Sequence, residues 1–218
     1  MIKKRVAVLI SGRGSNMAAL IAAAKDTAFP AAIVLVLSNR PGAAGLATAR
    51  DCAIETAVVD HAAYGKDRAA FERALQERVE AHRVELVCLA GFMRLFTPWF
   101  VDRWQGRMIN IHPALLPAFK GLDTHQQALA AGVKIHGASV HFVVPDMDAG
   151  PIIAQGAVAV RDDDTAATLA DRVLAIEHRI YPAALSLLAA GRVTIVDGRC
   201  RIEGAGDAAG GRLIVPEI

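Results

Sequence analysis

The sequence predicts an α/β protein built on a largely parallel sheet with helices on both faces, a three-layer arrangement. Three observations carry this. Short runs that are almost wholly apolar, at Val6–Ile10, Ala32–Leu37 and Val84–Ala90, read as strands buried on both faces. Segments of helical periodicity alternate with them, and that alternation is the pattern of a parallel sheet. The first apolar run passes directly into a glycine-rich turn, Ser11-Gly-Arg-Gly, that opens a helix.

In chain order, the Val6–Ile10 strand is followed by a helix over Ser15–Lys25, with Ser15 as its N-cap. Ala32–Leu37 is the second strand, Ala43–Cys52 a short helix and Thr56–Val59 the third strand. Asp67–His82 is an amphipathic helix that places Phe71, Leu75 and Val79 on one stripe. Val84–Ala90 is the fourth strand, polar only at Glu85. Thr97-Pro98 starts a short helix to Trp104, and Met108–Ile111 is a strand. Pro113–Thr124 is a loop rich in Pro and Gly, followed by a short helix over His125–Ala131. Val140–Val144 and Ile152–Val160 are strands joined through PDMDAGP. Thr165–Ala190 is the last long helix. Around DGRC the tail has two or three short strand-like pieces, and GAGDAAGG reads as a flexible interruption. No repeat or linker splits the chain, so one domain is expected over 1–218, with halves of about 1–105 and 106–191 and a short tail at 192–218.

Composition excludes several classes. The 218 residues carry a formal net charge of +2, which forces no basic face for nucleic acid. Cys52, Cys88 and Cys200 are isolated, form neither a disulfide framework nor a metal spacing, and fit a reducing cytoplasm. The apolar run after Met1-Ile-Lys-Lys-Arg is too short for a signal core or a membrane span.

Two features carry chemistry. In ISGRGSN, Gly12 and Gly14 allow close backbone approach, Ser15 and Asn16 add donors and Arg13 adds charge, so the turn suits one phosphate at a helix N-terminus. The third glycine of the dinucleotide fingerprint and the Gly-Lys-Ser/Thr of a P-loop are both missing. A tight turn with a serine cap is the other reading. In RMINIHPALLP, Asn110 and His112 leave the same face of a buried strand, with His112 at the carboxyl end where α/β sheets bind ligands. A histidine satisfied for purely structural reasons is the alternative. Asp146 and Asp148, between two strands, supply a carboxylate able to hold a charged imidazole. LAGFMRLF would expose Phe92, Met93, Leu95 and Phe96 beside a pocket, or simply pack them in the core. Helix surface and strand packing suffice for His125 and His141, and no metal site is expected. Asn supplies an amide donor to an oxyanion, and a protonated His supplies a second donor. Neither Ser139 nor Cys88 has a partner base. The set therefore suits direct acyl transfer through a tetrahedral intermediate without a covalent enzyme adduct.

SGRGSN, LAGFMRLF, NIHPALLPAFKG, HGASVHFV, MDAGPII and IEHRIYP occur together and in order. From about Val6 to Gly191 the chain resembles the phosphoribosylglycinamide formyltransferase family of purine synthesis. The resemblance implies a mostly parallel seven-stranded sheet with a Rossmann-like N-terminal half that binds phosphate, and a second half for catalysis and folate. It implies Asn110, His112 and Asp148 as the catalytic set. It places the substrate phosphate and ribonucleotide at Gly12, Arg13, Gly14, Ser15, Asn16 and Glu177. It places folate at Arg68, Met93, Arg94, Leu95, Phe96, Asn110 and Asp146, and a mobile loop at Pro117–His125. The implied reactants are 10-formyltetrahydrofolate and 5-phosphoribosylglycinamide. The implied protein is cytoplasmic, a monomer or homodimer, with no nucleic-acid or membrane partner. Arg13, where Asn is common, Lys120, where Pro is frequent, and Pro145, where an acidic residue is usual, depart from the family pattern. Pro145 also removes a backbone donor.

Four other readings compete. A methionyl-tRNA formyltransferase needs a further nucleic-acid-binding domain, and a formyltetrahydrofolate hydrolase a regulatory domain ahead of Val6. A sugar-amine formyltransferase is disfavoured by SGRGSN and IEHRIYP. A non-catalytic folate- or nucleotide-binding module would have no need of Asn110, His112 and Asp148 together.

Overall fold

A computed structural model describes residues 2–204 and, as backbone, residues 214–215. The expected interruption GAGDAAGG lies, beyond Gly204, outside the described residues. The chain divides into two compact units, one up to Asn110 and one from Ile111 on. The break falls a few residues later than the sequence suggests, inside a strand.

The first unit contains β1 (Lys4–Ile10), α1 (Ser15–Ala24), β2 (Ala31–Ser38), α2 (Gly45–Asp51), β3 (Thr56–Val58), α3 (Arg68–Ala81), β4 (Leu86–Leu89), α4 (Pro98–Arg103) and the start of β5 (Met108–His112). Its strands pair in the order β3-β2-β1-β4-β5, every pair parallel. That is the Rossmann order, and its direction of winding reverses at β1, between β2 and β4. The core is what the apolar runs require: Val6 to Ile10, Leu35 to Leu37 and Val87 to Cys88 are essentially inaccessible to solvent. On α3, Asp67 caps the first turn by accepting from the Ala70 amide at 2.9 Å, and Phe71, Leu75 and Val79 are buried. Each such side chain contributes about 1.5–3 kcal/mol by leaving water.

The second unit contains the end of β5, α5 (Thr124–Ala130), β6 (Ile135–Phe142), β7 (Ile152–Ala159), α6 (Ala166–Ala189), the hairpin β8 (Val193–Val196) and β9 (Arg199–Ile202), and the two-residue β10 (Ile214–Val215). β6 with β7 and β7 with β10 are antiparallel. β1 to β7 are the seven strands of the expected mostly parallel fold, and β10 is additional. β6 starts well before Val140, because Gly137 fits where any Cβ would lie 2.0 Å from the Gly156 carbonyl oxygen. On Gly156 a Cβ would meet Ile176 of α6 at 2.2 Å, so the bare backbone lets the helix approach β7. Thr165 and Thr168 form a reciprocal capping box at the start of α6. Asp197 and Gly198, both with positive φ, turn the β8–β9 hairpin. No helix among the described residues is long and apolar enough to cross a membrane.

Candidate active site

In the first unit, chemistry gathers where the sheet's winding reverses. Gly14 has φ 73, and a Cβ there would stand 3.1 Å from Gly45 Cα. Gly14, not the expected Ser15, is the cap of α1, and no side-chain cap bond is made. The left-handed turn requires the glycine, and Ser15 enters the helix. Gly12 has open space around it, and its carbonyl accepts from the Gly45 amide at 3.1 Å. Gly12 and Arg13 are exposed, Gly14 and Ser15 half-buried and Asn16 buried. The exposed Gly12, the half-buried Gly14 and the helix start form a cradle suited to an anion.

Ser11, which sequence reasoning did not single out, ties this turn to the loop after β4. Its hydroxyl donates to Asn39 Oδ1 at 2.5 Å and accepts from the Met93 amide at 2.8 Å. In that loop Met93 is 62% and Leu95 63% exposed. Phe92 is buried, and Phe96 stacks between Phe92 and Phe100 at 5.4 and 4.4 Å. Of the two readings of this stretch, exposure holds for Met93 and Leu95 and packing for Phe92 and Phe96, since rings four residues apart pack on each other. Arg94 is half-buried, and Arg68 Nη2 donates to the Leu95 carbonyl at 2.6 Å.

β5 carries Asn110, half-buried, and two residues on His112, which is buried. In the second unit His112 Nδ1 lies 3.5 Å from Asp148 Oδ2, and its Nε2 lies 2.9 Å from the Phe119 carbonyl oxygen. Both ring nitrogens thus face acceptors. The imidazolium, which carries a proton on each, satisfies both contacts, whereas a neutral ring leaves a lone pair facing an oxygen. Asp148 has φ 50, a left-handed conformation that Asp tolerates better than most residues. Its Oδ2 also accepts from the Gly121 amide at 2.9 Å.

Asp148 has a second histidine neighbour. His141 Nε2 lies 3.7 Å from Asp148 Oδ1. Strand packing had accounted for His141 in the sequence; only the antiparallel return through β7 brings the Asp148 turn to it. Burial lowers the His141 imidazole, against the opposing pull of the Phe142 carbonyl and Asp148. Burial likewise lowers His125, with His112 adding to it.

His136 lies beside this group, its ring edge-on to His125 at 5.3 Å and to Phe119 at 5.8 Å. Burial, with a further push from His125, lowers it from 6.5 to about 4. Between these values the unfolded chain binds a proton that the folded chain refuses. Stability from this residue is therefore whole above pH 6.5 and is lost as the pH falls toward 4. His136→Phe keeps a ring in place and removes the titration. Its melting temperature is expected to fall less than the parent's across that window, and an equal fall in thermal melts would contradict the assignment.

The loop after His112 is tied down by side chains. Ser139 Oγ donates to the Ala114 carbonyl at 2.7 Å and accepts from the Leu116 amide and Gln155 at 3.0 and 2.8 Å. With its hydroxyl so engaged, Ser139 is no nucleophile. Thr124 Oγ1 donates to the Pro113 carbonyl at 2.7 Å, and Gln127 to the Leu122 carbonyl at 2.7 Å. No group of His, Cys, Asp and Glu among the described residues has the arrangement to hold a metal ion.

Residues 4–185 match the formyl transferase family. The chain belongs to this family. It is 41% identical to the phosphoribosylglycinamide formyltransferase of Escherichia coli K12 over 199 residues, 91% of this chain and 93% of that protein. It is 51% identical over 193 residues, 88% of this chain, to the trifunctional purine biosynthetic protein adenosine-3 of Bos taurus, and the match covers 19% of that protein's length. Glycinamide ribonucleotide transformylase 1 from Symbiobacterium toebii superposes with a TM-score of 0.89 at 46% identity, over 92% of this chain and 94% of that one. A formyltetrahydrofolate deformylase from Pseudomonas syringae pv. tomato superposes at 0.85 with 26% identity, over 92% of this chain and 66% of that one.

In this formyl transferase chain the structure brings together two groups of the residues singled out from sequence. Gly12 to Asn16 share one turn of the first unit, whose Ser11 holds the loop of Met93 to Phe96. His112 and Asp148 form a pair in the second unit. Asp146 is exposed in the turn that carries Asp148, and Glu177 is buried on α6. Of the family departures, Arg13, Lys120 and Pro145 are all exposed.

Proposed function

We propose that this protein transfers the formyl group of 10-formyltetrahydrofolate to the glycinamide amine of 5-phosphoribosylglycinamide, a step of purine synthesis. The observation that carries the reading is the buried His112, with Asp148 on one ring nitrogen and an acceptor on the other. The amine attacks the formyl carbon and the carbonyl becomes an oxyanion. The Asn110 amide and the Nε2–H of His112 donate to that oxygen, which replaces the Phe119 carbonyl as acceptor. Asp148 holds the imidazolium in charge and orientation. As the intermediate collapses, the bond from formyl carbon to N10 breaks, and the proton lost by the amine reaches N10 through a water.

The turn Gly12–Asn16 takes the ribonucleotide phosphate, and Glu177 the ribose or glycinamide end. Met93, Arg94, Leu95, Phe96, Asn110, Asp146 and Arg68 take the folate, with Arg68 toward its glutamate tail. The division into a phosphate-binding and a catalytic half of one domain belongs to this proposal. So do a cytoplasmic location, a monomeric or homodimeric state and the lack of a metal requirement.

An acceptor panel tests the substrate. With 10-formyltetrahydrofolate as donor, the formylated product is expected with glycinamide ribonucleotide and not with an amino sugar nucleotide or methionyl-tRNA. Formylation of either of the latter in preference would overturn the acceptor assignment.

A further inference from the structure

We propose that Glu72 is a positioning residue for the formyl donor, acting by fixing the backbone of the Met93–Phe96 segment; this rests on the assignment of that segment to folate made above. Glu72 is 1% exposed, yet carries a carboxylate on the buried stripe of α3. A helix that only had to pack would be served better by an apolar side chain there, since burying a charge is costly unless it is hydrogen-bonded. Both oxygens of Glu72 are engaged by a single residue. Oε1 accepts from the Thr97 amide at 2.6 Å, and Oε2 accepts from the Thr97 hydroxyl. Charge-assisted bonds of this kind are stronger and more directional than neutral ones.

Thr97 shows the cost of that grip. It occupies the N-cap position of α4, where a threonine hydroxyl ordinarily accepts from its own helix, and there it makes no cap bond. Its hydroxyl is turned back to Glu72. One helical turn earlier on α3, Arg68 holds the Leu95 carbonyl, and Ser11 holds the Met93 amide. The backbone is thus fixed at residues 93, 95 and 97 by three side chains, while Met93 and Leu95 present their own side chains to solvent. A flat heterocycle read by backbone donors and acceptors needs those groups held in place before it arrives. Neither Glu72 nor Thr97 is among the residues assigned to substrate.

The test measures KM for 10-formyltetrahydrofolate and for glycinamide ribonucleotide separately, with hydrogen exchange at the Thr97 amide. Losing two bonds to a buried charge in Glu72→Ala is expected to raise the donor KM about tenfold or more, with the acceptor KM within about twofold and faster Thr97 exchange. Glu72→Gln can still accept from the amide and donate to the hydroxyl oxygen, so its donor KM is expected within about threefold of the parent's. Unchanged exchange with unchanged donor KM, or an equal rise in both KM values, overturns the positioning role. Faster exchange with the donor KM unmoved removes the segment from the folate site, and with it that part of the functional reading. If Glu72→Ala does not fold, Thr97→Val decides: it keeps the amide and loses the hydroxyl, and a parental donor KM in that variant overturns the proposal.

Discussion

An Asp148→Asn enzyme is expected to turn over about 10²–10⁴-fold more slowly than the parent, with a melting temperature close to it. Asparagine matches the aspartate in shape, accepts the left-handed backbone at φ 50, and keeps an oxygen for the Gly121 amide. What it removes is the charge facing His112 Nδ1 at 3.5 Å. The imidazolium then loses its counter-charge, and the oxyanion loses a donor held in a fixed protonation state. Asp148→Ala is a less clean probe, because alanine is strained at this backbone angle. Single-turnover kinetics with both substrates saturating isolate the chemical step, and a near-parental rate would remove Asp148 from the mechanism.

Gly150→Ala is expected to lower stability by about 3 kcal/mol or more, read from denaturant midpoints. A Cβ at this position would lie 1.8 Å from the Phe142 carbonyl oxygen and 2.8 Å from its carbon, both rigid backbone atoms. The strand ends must separate, and the bond from the Phe142 amide to the Pro151 carbonyl at 2.9 Å goes with them. Asp148 stands two residues before Gly150, so the same displacement moves the carboxylate that faces His112 Nδ1. The variant is expected to lose activity even at temperatures where it is folded. A parental denaturant midpoint would show that the contact relaxes without cost.

Much of the fold and of the site is legible in the sequence. A buried strand that carries Asn110 and His112 breaks the apolar rule, and the rule breaks where chemistry is done. Gly12 and Gly14 announced a turn, although Gly14 rather than Ser15 caps the helix, because the turn needs a positive φ and only the glycine supplies it without strain. The early part of β6 was hidden for a related reason. Gly137, Ala138 and Ser139 have little strand propensity, and their place in the sheet comes from a close fit against Gly156, far along the chain. For Phe92 and Phe96 the sequence leaves exposure and core packing open, and the stack that runs from Phe92 through Phe96 to Phe100 decides for packing. His141 read as strand packing because its contact with Asp148 exists only once β6 and β7 pair. The missed start of β6 and the missed role of His141 both rest on contacts between residues far apart in the chain, which local pattern does not encode.

A transferase releases the formyl group only when the ribonucleotide is there to take it. The direct measurement follows deacylation of 10-formyltetrahydrofolate by ultraviolet absorbance, with and without glycinamide ribonucleotide. Release only in its presence, matched one for one by formylated ribonucleotide, is the predicted result. Release at the same rate in its absence would make the protein a hydrolase of the formyl donor and contradict the transfer mechanism built on Asn110, His112 and Asp148.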